Sequence, residues 1–218
     1  MNSGQQPEAL LLVSPGCQYC RAMHKVLDEL AAKNKLSKLT IVDIAEQPEI
    51  AEQLGVRSVP WLRLGGFVLE GAHTPGELNK WIEASTRENG WSEYLEHLLD
   101  SGGLSLAEKL VEEDPARLKA LIPLAKDPDT PMHVRVGIAA ILEGIQGTAE
   151  IKILVPSLIE VARNGDAKVR ADACHFLALT GSKVAIPVLE QYLDDENDMV
   201  REIATEGILE LRKIPKAH

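Results

Sequence analysis

Two cysteines separated by two residues, in Cys17-Gln18-Tyr19-Cys20, are the side chains of this 218-residue sequence best suited to chemistry. A thiolate can attack a disulfide sulfur, and a second thiol nearby can then displace it. A pair at this spacing therefore interconverts between dithiol and disulfide and carries two electrons. Position decides whether it does so. The pair follows at once on the apolar run Ala9-Leu10-Leu11-Leu12-Val13-Ser14, ended by Pro15-Gly16, which reads as a buried strand. After it, residues 21–33 carry Met23, Val26, Leu27, Leu30 and Ala31 at helical spacing. A cysteine at the start of a helix meets free N–H groups and the positive end of the dipole, which stabilise a thiolate. Cys17 is the expected nucleophile. Cys20, one turn inside the helix, is the expected resolving thiol.

Other readings of these side chains are weaker. An inert cysteine pair leaves both thiols at a helix start without a purpose. His24, one turn past Cys20, adds only a third ligand where structural zinc takes four, so no metal is expected. Cys174 lies among Ala173, Phe176 and Leu177 and reads as a packing cysteine rather than a redox partner. The six histidines form no cluster and read as surface or cap residues. Arg57 is open between two roles, holding the Cys17 thiolate or standing solvated at the surface.

Composition bounds the rest. Apolar residues make up 45% of the chain and charged ones 26%, an ordinary globular balance with room for two small cores. A net charge of −10 argues against binding nucleic acid or anionic membranes through charge. That charge is uneven: residues 1–88 hold 9 basic and 11 acidic side chains, and residues 89–218 hold 14 and 22. No run approaches the length of a bilayer span, and residues 1–8 lack a basic and then apolar leader, so the expectation is a cytoplasmic chain. Three cysteines, one remote from the other two, do not make a disulfide scaffold.

The elements that must position the pair continue with Leu39-Thr40-Ile41-Val42-Asp43-Ile44, a strand rich in β-branched residues. Strand, helix, strand predicts parallel pairing and a right-handed crossover. Residues 48–54 suit a short helix stopped by Gly55, followed by Val56-Arg57-Ser58-Val59-Pro60 and the strand Trp61-Leu62-Arg63-Leu64. Gly65-Gly66 signals a hairpin into Phe67-Val68-Leu69-Glu70. Thr74, Pro75 and Glu77 then form a capping-box signature for a helix reaching about Arg87. The order β-α-β-α-β-β-α describes one small α/β domain.

In order and spacing, Ser14-Pro15-Gly16-Cys17-Gln18-Tyr19-Cys20, Gly55-Val56-Arg57-Ser58-Val59-Pro60 and the segment from Gly65-Gly66 to Gly76-Glu77-Leu78 resemble the thioredoxin superfamily over about residues 8–87. The resemblance implies thiol–disulfide exchange, a cis peptide before Pro60, and strand-like pairing of an extended substrate with the Val59 backbone. It places Tyr19, Val59 and Pro60 as substrate-contacting residues. The pattern also departs from that of thioredoxins. Gly16 stands where they carry Trp, Gln18-Tyr19 replaces Gly-Pro, and Leu11 stands at the position of their buried Asp. Tyr19 before the second cysteine is more similar to glutaredoxin-type motifs.

Beyond Trp91 strand signals vanish and a repeat takes over. Prolines at 123, 156 and 187 step by 33 and 31 residues, and arginines at 135, 170 and 201 step by 35 and 31. A fixed step of this size marks stacked helical pairs. In each unit a Pro-opened helix, an acidic turn and a second helix starting near Val-Arg follow in order. Val169, Ala173 and Leu177 share one face, as do Val200, Ala204 and Ile208. Residues 91–119 are expected to supply one more, degenerate helical pair as a junction cap. This pattern resembles HEAT repeats over about residues 104–212, especially the short kind found in phycobilin lyases, and implies a curved solenoid with a face for protein binding. No residue here points to a tetrapyrrole site. The acidic turn at residues 194–198 reads as a solvated edge in preference to a contact for a basic partner.

The expected architecture is an α/β thioredoxin-like domain over residues 1–88 followed by an all-α HEAT-like solenoid over residues 89–218. The expected activity is that of a thiol–disulfide oxidoreductase with Cys17 and Cys20 as its catalytic residues and no cofactor. The array would dock a protein partner, with no role for nucleic acid or membrane. The alternative is a redox-sensitive adaptor with little turnover.

Overall fold

The computed structural model describes residues 6–214. Contacts divide the chain into two compact units between Tyr94 and Leu95.

In the first unit, β1 (Glu8–Val13), β2 (Lys38–Asp43), β3 (Trp61–Leu64) and β4 (Phe67–Glu70) form a mixed sheet in the order β2-β1-β3-β4. β1 and β2 run parallel, while β1–β3 and β3–β4 are antiparallel. The parallel pair needs a crossover, supplied by α1 (Gln18–Ala32). Helix α1 buries Cys20, Met23, Leu27 and Leu30, the apolar stripe visible in the sequence. Leu11, Leu12, Leu62 and Leu64 are wholly buried at the centre of the sheet. α2 (Pro48–Leu54) ends at Gly55, whose φ of +69° is the left-handed conformation that favours glycine.

The predicted cap of α3 (Pro75–Ser85) is present in full. Glu77 N–H donates to Thr74 Oγ1 at 3.3 Å, and Thr74 N–H donates to Glu77 Oε2 at 2.7 Å. α4 (Gly90–Asp100) starts the run of helices, and the division between units falls within it. Its Trp91 and Tyr94, which the sequence reading groups with the helical half, pack in the first unit. Tyr94 stacks on Phe67 with ring centroids 4.3 Å apart, and Trp91 meets Phe67 edge-on at 5.1 Å. Gly66 makes room for this: a Cβ there would lie 2.6 Å from the Trp91 ring.

The second unit is helical. It comprises α5 (Leu104–Glu113), α6 (Leu121–Lys126), α7 (Met132–Gly144), α8 (Val155–Ala162), α9 (Ala167–Leu179), α10 (Ile186–Leu189) and α11 (Asp198–Lys213), with short 3-10 segments before α6, α8, α10 and α11. The predicted shared faces are buried throughout: Val169, Ala173 and Leu177 on α9, and Val200, Ala204 and Ile208 on α11. Small residues let α9 and α11 approach closely, since a Cβ on Gly207 would stand 3.0 Å from that of Ala178.

Arg135, Arg170 and Arg201 are each the fourth residue of their helix, and each donates to a carbonyl of the turn before it. Two of them also reach onward, Arg135 to Asp172 on α9 and Arg170 to Asp195. The repeating arginine therefore ties each turn to its own helix and two of the pairs to the next. Residues 194–198 are a solvated edge at Asp194, Glu196 and Asp198, while Asp195 is covered and bound by Arg170 and Asn197 caps α11.

Candidate functional site

The sheet register brings the chemistry-bearing segments to one end. Val13, the last residue of β1, lies beside Asp43 at the end of β2, and Leu12 lies opposite Trp61 at the start of β3. The Cys17 turn and the Ser58-Val59-Pro60 turn therefore leave the sheet at the same end. Gly71, just past β4, joins them by donating its N–H to the Pro60 carbonyl at 2.9 Å.

Cys17 is the N-cap of α1, with extended backbone at φ −68° and ψ 107°. Its Sγ accepts the Cys20 backbone N–H at 3.1 Å, taking one of the donors that a helix leaves unpaired at its start. The same geometry that lets sulfur accept this bond stabilises a thiolate there. Cys17 and Cys20 are joined as a disulfide with Cα atoms 5.3 Å apart. Cys20 is 2% exposed, whereas Cys17 is half-buried. An incoming sulfur thus has access to Cys17 and not to Cys20. Gly16, the departure from the usual Trp, sits at φ +80°, where a side chain would be strained.

The Val59–Pro60 peptide is cis, as the resemblance implies. Pro60 is buried, and Val59 packs against the cluster of Leu12, Val42, Ala51 and Trp61. Tyr19 is 57% exposed, so its ring stands open beside the cysteines. Arg57 is exposed, the solvated one of its two alternatives. Leu11, at the position of the thioredoxin Asp, is wholly buried between Ile41 and Leu62. His24 pairs with Asp28 at 3.3 Å, one turn along the helix.

One residue at this end escaped the sequence reading. His73, in the turn tethered through Gly71, is not a surface histidine: its side chain is 15% exposed. Nδ1 lies 3.9 Å from Glu77 Oε2, and Nε2 is buried with no hydrogen-bond partner among the described residues. A lone histidine in a loop gives no sequence signal of burial.

Cys174 is far from this chemistry in kind. It is wholly buried on α9, and burial pushes its thiol up to about 12. A thiol in that state packs and does not react.

A family model for the thioredoxin domain matches residues 9–83, and one for HEAT repeats matches residues 118–209. No curated protein matches the chain. The two matches coincide with the mixed sheet carrying the cysteine pair and with the paired helices of the second unit: the chain is a thioredoxin-like domain followed by HEAT-like repeats.

Proposed function

We propose that this protein is a thiol–disulfide oxidoreductase whose Cys17–Cys20 pair reduces or oxidises a protein substrate. The observation that carries this reading is the asymmetry of the pair. Cys17 caps the helix and is accessible, while Cys20 is buried one turn inside. In the reducing direction the Cys17 thiolate attacks a substrate disulfide, forming a mixed disulfide and releasing one substrate thiolate. Cys20, losing its proton, then attacks Cys17 Sγ. The second substrate thiolate leaves, and the pair ends as the disulfide, two electrons having passed to the substrate.

Tyr19, Val59 and Pro60 are the residues assigned to substrate contact. The exposed Tyr19 ring offers apolar area at the attacking sulfur, and the Val59 backbone offers hydrogen bonds to an extended segment. Stacked helical repeats present extended surfaces to proteins, and the repeat unit is assigned the docking of that partner. No described helix is long and apolar enough to cross a membrane. A cytoplasmic setting suits a chain whose reactive cysteines must be re-reduced.

The test is turnover of a protein disulfide such as insulin, with dithiothreitol as the electron source. The wild-type chain accelerates its reduction, and Cys17→Ser abolishes the acceleration. Equal rates with and without the wild-type protein would refute the reading.

A further inference from the structure

Carboxylates in the helical unit fall into two groups. Asp172, Asp195 and Asp198 are each held by one of the repeating arginines. Glu108, Glu112, Glu206 and Glu210 make no ion pair among the described residues. These four line two grooves. The first lies between α5 and α7, where Glu112 and Glu150 surround Val111, Leu118 and Ile145 in about 210 Å³. It continues past Glu108, Ile141 and Gly144. The second, about 340 Å³, crosses α7, α9 and α11, with Glu143, Glu206 and Glu210 around Ala178, Leu179 and Gly207. Only the end of α7 separates them: Gly144 and Ile145 face the first groove, Glu143 and Gln146 the second.

Each groove has an apolar base and an acidic rim. Val111, Ile141, Ala178 and Leu179 are buried, while Glu112, Glu143, Glu206 and Glu210 are exposed. No Lys or Arg lines either groove among the described residues, and the one basic side chain is His175, 3.3 Å from Glu143. Glu108 and Glu112 stand one turn apart on α5, as do Glu206 and Glu210 on α11. Like charges at that spacing oppose their own helix, so neither pair is explained by local stability. The C-terminal turns of α5, α7 and α9 also lie here, and the negative ends of their dipoles add to the preference for a cation. No group of these side chains is placed to hold a metal ion among the described residues.

We infer that these two grooves form one docking surface for an amphipathic segment of a partner protein that carries Lys or Arg beside apolar residues. The apolar side chains would cover the bases, and the cations would reach the rims that this chain leaves unpaired. The inference rests on the docking role assigned to the repeats and not on the cysteine chemistry.

The test is fluorescence anisotropy with a short labelled peptide of leucines and lysines at helical spacing. It needs no turnover, so failure of the redox reading leaves it intact. Glu206→Gln with Glu210→Gln should weaken binding about tenfold, as should Glu108→Gln with Glu112→Gln, the sum of two exposed ion pairs in each case. Asp129→Asn with Asp194→Asn changes the net charge equally but lies outside the grooves, and should leave affinity unchanged. Replacing the peptide's leucines by serine should also weaken binding about tenfold. A wild-type chain that does not bind the peptide overturns the inference. So does an equal loss from the control pair, or a serine peptide that binds as well as the original.

Discussion

Arg170 holds Asp195 across the gap between successive repeats by two parallel hydrogen bonds, Nε to Oδ2 and Nη2 to Oδ1, each 2.8 Å. Both side chains are close to fully covered, at 10% and 8% exposure. Each partner favours the charged form of the other: Arg170 holds the Asp195 carboxyl below the usual carboxylate range, and Asp195 raises the guanidinium.

A depressed carboxyl contributes stability that is complete above its unfolded value, near pH 4, and is lost as pH falls through the folded value. Asp195→Ala should therefore lower stability by about 2 kcal/mol at neutral pH. The difference from wild type should shrink as the buffer is taken from pH 5 toward pH 2. Urea unfolding midpoints followed by helical circular dichroism check both the size and the sign.

The three thiols should separate cleanly by reactivity. After mild reduction at pH 8, iodoacetamide labels Cys17 first, because it is the accessible cysteine at a helix start. Cys174, pushed up to about 12 by burial, stays unlabelled until denaturant is added. Mass spectrometry of tryptic peptides reads this order. Labelling of Cys174 ahead of Cys17 in the folded protein would contradict the site description.

The Thr74–Glu77 capping box predicts a local stability effect without a chemical one. Thr74→Ala removes the acceptor of the Glu77 N–H and should cost about 1 kcal/mol. Cys17 should keep its alkylation rate, since Thr74 opens α3 while Cys17 caps α1. Thermal unfolding and labelling kinetics on the same sample test the two halves.

Elements whose cause is local were readable from the residues. Thr74-Pro75-Gly76-Glu77 specifies its helix start within four residues, and the step between repeating arginines specifies the stacked pairs. Cys17 at the helix start was readable because a strand run, Pro15-Gly16 and a helical stripe bracket it. Features made by distant partners were not. The covered environment of Asp195 depends on Arg170 of the preceding repeat, and nothing within the otherwise solvated acidic turn signals it. Tyr94 bonds to Val68, 26 residues earlier, and nothing near either residue signals it. The burial of the His73 side chain likewise has no signal in the residues beside it in sequence.

The central claim is that Cys17 attacks and Cys20 resolves. It is tested most directly with Cys20→Ser, mixed with a peptide disulfide and analysed by intact mass under non-reducing conditions. The account predicts a stable one-to-one mixed disulfide located at Cys17, absent from Cys17→Ser and cleared within turnover by the wild-type chain. Failure of Cys20→Ser to retain the peptide, or its retention on another cysteine, would contradict the account.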